Sequence, residues 1–186
     1  MLTFNPETHE YALEGKHIPG VNEILKAGGI LPNFNFPQAE YKRQLGTYVH
    51  QAIKMYFEDN LDEDSLQSPI KEYFEGFKKF HKENPINPLE VEKILYSKKW
   101  GFAGTTDCFD NKLYDWKVSA SIYDTYYLSM AGYEILVEEH LGYKPEEVII
   151  VQLKPNGYKP HTIKPDRQNF LAFLMTYKYK QKKGLL

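Results

Sequence analysis

Asp107, Asp115 and Lys117 are the residues of this chain whose types and spacing suit chemistry on a phosphate. Two carboxylates hold a hard divalent cation, and an ammonium beside them orients water or stabilises charge developing on the phosphate. A bound Mg²⁺ or Mn²⁺ polarises the phosphoryl oxygen and lowers the pKa of the attacking water, which is what hydrolysis of a phosphodiester requires. His50 adds an imidazole, which favours Mn²⁺ relative to an all-oxygen Mg²⁺ site. Glu92 adds a further carboxylate, as a direct ligand or through water. Taken singly, each has an ordinary alternative. Asp107, Asp115 and Lys117 also suit a solvent-facing salt-bridge cluster, His50 a capped, buried or surface histidine, and Glu92 an exposed strand glutamate with Glu90 as its rival.

The elements that must position these groups can be read from the surrounding pattern. Residues 102–109 form a strand candidate, Asp110, Asn111 and Lys112 a three-residue turn, and 113–118 the return strand. That loop length sets Asp107 across from Asp115, with Cβ atoms roughly 5 Å apart, and the two-residue period puts Lys117 on the face of Asp115. A two-residue turn would send the aspartates to opposite faces, so the site depends on register. Trp116 and Val118 alternate to the other side, as packing residues.

Residues 37–60 carry a helical apolar stripe of Ala39, Leu45, Val49, Ala52, Ile53 and Phe57, interrupted by Gly46. A mid-helix glycine costs about 1 kcal/mol, and close approach of another backbone is a motive for keeping it. Upstream, 9–13 and 16–18 flank Glu14-Gly15 as a small hairpin, and 21–26 form a short helix stopped by Gly28, Gly29 and Pro32. Pro69 opens a second long helix through Phe74, Phe77 and Phe80 to Asn84. A strand over 91–96 leads into the hairpin, and a long helix over 122–140 ends at Gly142. Strands at 148–153 and 161–163 are joined through Pro155-Asn156-Gly157, and Asp166 caps a last helix to about 179.

A chain of 186 residues supports one substantial core, and its 42% hydrophobic and 26% charged residues are ordinary for a soluble globular protein. No apolar run is long enough for a membrane span, and the first ten residues lack a signal-peptide pattern, so the expected place is the cytoplasm, that of a bacterial or phage-infected cell. The single Cys108 excludes an internal disulfide and a cysteine-ligated cluster. A net charge of -2 argues against a broad, sequence-blind basic surface for DNA, though Lys178, Lys180, Lys182 and Lys183 gather near the end. Lys98 and Lys99, just before the hairpin, suit phosphate contacts or simply a charged strand edge.

The run Gly46-x-x-x-His50, Glu92, Gly104-x-x-Asp107, Asp115-x-Lys117 and then Ala131-Gly132-Tyr133 resembles the PD-(D/E)XK nuclease superfamily, in its RecB-like branch of phage-type exonucleases and the mitochondrial genome maintenance exonuclease. The segment from His9-x-Tyr11 to Leu25 resembles that branch's entrance segment, which extends the likeness over residues 1–36 of one nuclease domain spanning 1–186. The resemblance implies a mixed α/β (α+β) fold, with a restriction-endonuclease-like core whose central mixed sheet is flanked by helices. It implies His50, Asp107 and Asp115 as metal ligands, Lys117 as the catalytic lysine and Glu92 as a supporting acid. Where the family's helix often carries glutamine four residues before its tyrosine, this chain has Ser129 before Tyr133, a pair still able to border a substrate groove. The implied activity is a Mg²⁺- or Mn²⁺-dependent deoxyribonuclease without an iron–sulfur cluster. It would be an exonuclease on DNA ends or single strands in recombination or repair, with a possible replication or recombination protein as partner. A non-catalytic DNA-binding or assembly protein and a restriction-like endonuclease are the alternatives.

Overall fold

The computed structural model of the chain describes residues 1–6, 8–31 and 37–186. Pro32, expected to help stop the first helix, and the end of the entrance segment lie outside the described residues. The elements run β1 (Leu2–Asn5), β2 (Glu10–Leu13), β3 (Lys16–Ile18), α1 (Val21–Ala27), α2 (Pro37–Phe57), a 3-10 turn (Glu63–Ser65) and α3 (Ile70–Glu83). They continue β4 (Glu90–Ser97), β5 (Phe102–Phe109), β6 (Leu113–Lys117), α4 (Asp124–Leu141), β7 (Val148–Lys154), β8 (Gly157–Ile163) and α5 (Arg167–Lys183). β1 to β3 make a small antiparallel sheet, and β4 to β8 make the five-stranded central sheet in chain order. β6 and β7 are parallel across α4, while the other neighbouring strands are antiparallel. The fold is thus mixed α and β, a mixed sheet flanked by helices, as expected.

Strand alternation divides the core in two. Phe102, Phe109, Leu113, Val148 and Ile150 pack with residues of α1, α4 and α5. Cys108, Tyr114, Trp116, Val151 and Leu153 pack with residues of α2 and α3. Trp116 is 1% exposed among Phe77 and Phe80, which fixes the other face of β6, and therefore Asp115 and Lys117, toward α4. A third cluster of Tyr11, Ile18 and Ala103 seats the small sheet on β5, where the Ala103 N–H donates to the Pro19 carbonyl at 3.0 Å.

Several elements depart from the sequence expectation. α4 starts two residues late, because Tyr123 is extended at the N-cap position. β8 starts at Gly157 rather than His161, since an edge strand accommodates Pro160. α5 continues to Lys183, where lysines suit the last turn and Gly184 closes it at φ 66°. β1 has too short an alternation, Leu2 and Phe4 against Thr3 and Asn5, to stand out at the chain's start. No helix among the described residues is long and apolar enough to cross a membrane.

Candidate metal centre

The loop of Asp110, Asn111 and Lys112 gives the register that the site needs. Phe109 pairs with Leu113 and Cys108 with Tyr114, so the next step sets Asp107 opposite Asp115. The backbone ladder stops there. The Asp107 carboxylate instead accepts the Trp116 N–H at 2.8 Å, which pins its side chain against β6. One strand over, Val91 pairs with Cys108 and Lys93 with Thr106, so Glu92 faces Asp107 but is itself left out of the pairing. Its backbone is left-handed, at φ 48°. An unbroken strand would place Val91, Leu95 and Ser97 on one face. Here Val91 packs toward α2 and α3, whereas Leu95 and Ser97 meet α4, the Ser97 hydroxyl donating to Glu139 at 2.5 Å. The reversal at Glu92 is backbone strain of about 1–3 kcal/mol spent on aiming one carboxylate.

His50 enters from α2. Its helix buries Leu45, Val49, Ala52 and Ile53, and His50 lies beside that stripe, half-buried over the sheet. Nε2 lies 2.9 Å from the Trp116 carbonyl. A carbonyl only accepts, so Nε2 carries a proton and Nδ1 is the nitrogen left to face the site. Nδ1 points at Glu92 Oε1 and Asp107 Oδ1, 3.4 and 3.5 Å away. A ring nitrogen tied to a backbone carbonyl with its partner aimed at carboxylates is how a ligating histidine is held. Ligand atoms of His50, Glu92 and Asp107 all lie within 4.8 Å of one another.

Charge in this cluster is unbalanced without a cation. Burial works against the His50 imidazolium, yet the charge and contacts of Asp107 and Glu92 raise its pKa well above the ordinary value. Burial also opposes ionisation of Asp107, but His50, Lys117 and the Trp116 N–H outweigh it and hold that carboxyl below its usual range. Asp115, 3% exposed, is pushed up to about 6, by burial first and with Asp107 adding to it against the pull of Lys117. Lys117 Nζ sits 2.7 and 2.6 Å from the two Asp115 oxygens, with the Tyr126 ring 5.3 Å away. Its pKa is raised despite burial, by Asp115 and then Asp107, so it stays an ammonium. Glu92 Oε1 is buried with no hydrogen bond and only the His50 Nδ1 contact at 3.4 Å, while Asp115 Oδ2 has the Lys117 ammonium at 2.6 Å. A buried carboxylate oxygen, the Asp107 carboxylate and an imidazole nitrogen that converge in this way fit a hard divalent ion of the Mg²⁺ or Mn²⁺ kind. No family model matches the chain, and no curated protein matches it.

The structure therefore gathers His50, Glu92 and Asp107 as the tight group, with Asp115 and Lys117 paired on the adjoining strand. Glu92, expected in a supporting place, stands closer to His50 and Asp107 than that role requires. Tyr133 borders the site: its ring lies where a Cβ on Gly104 would meet it at 3.0 Å. Burial, with Tyr11 and the three acids around it, raises its hydroxyl pKa well above the usual value. Ser129 is buried and its hydroxyl donates to the Tyr126 carbonyl at 3.1 Å, so it is engaged inside α4 rather than offered to a groove. Lys98 and Lys99 are exposed in the turn between β4 and β5, with Lys99 Nζ 5.2 Å from the Trp100 ring. Five residues of strand separate that turn from Asp107, about 17 Å. No sequence signal marks the Trp116 backbone, which bonds both His50 and Asp107. Tyr11, read there only as part of the entrance segment, has its hydroxyl 2.9 Å from Thr105 Oγ1, two residues before Asp107.

Proposed function

We propose that this protein is a metal-dependent deoxyribonuclease, acting on DNA ends or single strands, with Mg²⁺ or Mn²⁺ held by His50, Glu92 and Asp107 and with Asp115 completing the shell. The observation that carries this reading is the convergence of the oriented His50 Nδ1 with Glu92 and Asp107 beside a charged Asp115–Lys117 pair. A bound cation supplies a polarised phosphoryl oxygen and an acidified water. The chain's own groups do the rest. Lys117 is held as an ammonium by Asp115, so it donates hydrogen bonds to the attacking water or to the phosphate oxygens and does not abstract a proton. Asp107 is fixed by the Trp116 N–H, and His50 by the Trp116 carbonyl, so the backbone of one residue sets the separation of the two. The order of Gly46, His50, Glu92, Asp107, Asp115, Lys117 and Tyr133 along the chain supports the same assignment through its resemblance to RecB-like exonucleases.

The test compares wild type with Asp107→Ala, Asp115→Ala and Lys117→Ala on end-labelled single-stranded, linear duplex and closed circular DNA, with Mg²⁺, Mn²⁺ and chelator. Wild type is expected to release nucleotides from ends only with metal, and each variant to lose at least about 10²-fold in rate while keeping its circular dichroism spectrum. Hydrolysis retained in all three variants would sink the site. Cutting of closed circles would make the enzyme an endonuclease, and binding without cutting would make it a DNA-binding protein.

A further inference from the structure

Ten of the twelve glycines have a reason within the described residues. Gly15, Gly29, Gly101, Gly142 and Gly184 have positive φ. A Cβ on Gly20, Gly28, Gly76, Gly104 or Gly132 would come within 3.0 Å of a neighbouring atom. Gly157, at the start of β8, is a strand residue whose Cβ would make only an ordinary 3.9 Å contact with the Pro155 carbonyl oxygen. Gly46 has neither reason. It lies in the interior of α2 with ordinary helical backbone, and no described atom beyond the helix's own backbone lies within 4 Å of where its Cβ would be. The close approach expected from its sequence is not made by any described part of the chain.

The position of that space is informative. Gly46 precedes His50 by four residues, so both lie on one face of α2, about 6 Å apart along its axis. Helical side chains lean toward the N-terminus, so a side chain at 46 would stand over the turn before it, on the stripe of α2 that runs from His50 toward the start of the helix. Arg43, three residues further back on the same stripe, has its side chain 59% exposed and is paired, among the described residues, with the exposed Glu40 of its own helix. One face of α2 thus presents a ligand, a bare stretch of backbone and a cation in line.

We propose that Gly46 is a clearance point: the polynucleotide strand whose phosphate is cut at His50, Glu92 and Asp107 runs along α2 against the bare backbone, with a neighbouring phosphate at Arg43. This rests on the nuclease reading above and adds the path of the substrate. The glycine is then kept for the substrate at the expense of the helix, and the two properties separate on mutation.

Wild type, Gly46→Ala, Gly46→Leu and Arg43→Ala are compared by thermal melting, Mn²⁺ titration calorimetry and steady-state cleavage of a single-stranded oligonucleotide. Gly46→Ala is expected to raise Tm by about 2–4 °C, the gain of an alanine inside a helix of a chain this size. Gly46→Leu is expected to raise KM at least tenfold with Mn²⁺ affinity unchanged, and Arg43→Ala to raise KM and make the salt dependence shallower. Unchanged KM in Gly46→Leu, with an active wild type, overturns the path while leaving the nuclease intact. A fall in Tm for Gly46→Ala also overturns it, because the chain itself would then fill the space. A wild type that neither binds nor cuts the oligonucleotide overturns the function and the path together.

Discussion

At His50 one ring nitrogen is committed to the Trp116 carbonyl and the other faces Glu92 and Asp107, which sets how the site answers pH. Without a cation the raised pKa of His50 means a proton occupies the place a metal would take. Metal binding must expel it, so affinity rises with pH until the raised His50 pKa is passed. Stability without metal runs the other way. A histidine whose folded pKa is raised contributes stability below about 6.5, lost as pH climbs through the folded value. Asp115, raised to about 6, likewise contributes stability at low pH that is lost as pH rises through that value. Asp107, held low, contributes above its ordinary value and loses that only in acid. The metal-free protein should therefore melt at lower temperature at pH 8 than at pH 5.5, with Mn²⁺ raising Tm more at pH 8. In His50→Gln that contrast in metal response should shrink; equal Mn²⁺ shifts at both pH values in the wild type would refute the account. Glu92 makes a second prediction at this scale. Relieving its left-handed backbone with Glu92→Gly should raise stability by about 1 kcal/mol in chemical denaturation. The same change should cost at least about tenfold in Mn²⁺ affinity, whereas a destabilised variant would mean that the strain is illusory.

Among the elements, α3 is held on the edge of the sheet by a contact that only glycine permits. A Cβ on Gly76 would lie 2.2 Å from the Gly157 carbonyl oxygen and 2.6 Å from that of Lys154, both backbone, at the turn joining β7 to β8. The Asn156 N–H donates to the Glu72 carbonyl at 2.8 Å beside it, so the turn cannot easily retreat. Gly76→Ala should cost about 3 kcal/mol, lowering Tm by about 6–12 °C, and a Tm within a degree of wild type would show the contact to be loose. This contact was hidden in the sequence, where Gly76 is one residue in an apolar helix. Local pattern revealed what local chemistry decides: the three-residue loop set the register of Asp107 and Asp115, and helical spacing set His50 on α2. It did not reveal features whose partner is distant or has no side-chain signature. The Trp116 backbone that organises the site is invisible as a motif, and the left-handed turn at Glu92 falls on a residue type that rarely adopts it. Nearness in sequence also misdirects: Lys98 and Lys99 precede the hairpin but stand at its far end.

For the whole molecule, the balance of charge bears on how a nucleic acid is held. The chain has 23 basic and 25 acidic residues, and much of the positive charge is committed internally. Arg167 bonds Glu138 at 2.6 Å, Lys78 bridges Glu63 and Glu75, Lys93 pairs with Glu90, Lys112 with Glu147, and Lys180 donates to the Ala27 carbonyl. A surface of this kind does not neutralise a long run of phosphates. On the proposed function, a strand would be held by the metal centre, a few cations such as Arg43 and Lys117, and aromatic contact from exposed rings such as Tyr123 and Tyr127. Each neutralised phosphate of a single strand adds about 0.7 to the slope of log affinity against log salt, so three contacts give a slope near −2. Between 50 and 200 mM salt the affinity of a single-stranded oligonucleotide, measured by fluorescence anisotropy with metal at constant excess, should then fall by only about 20-fold. Chelation should weaken it far more than salt does, because removal of the cation leaves Glu92, Asp107 and Asp115 facing the phosphate as bare carboxylates. A slope steeper than about −6, or binding indifferent to chelator, would mean that a basic surface, not the carboxylate centre, holds the strand.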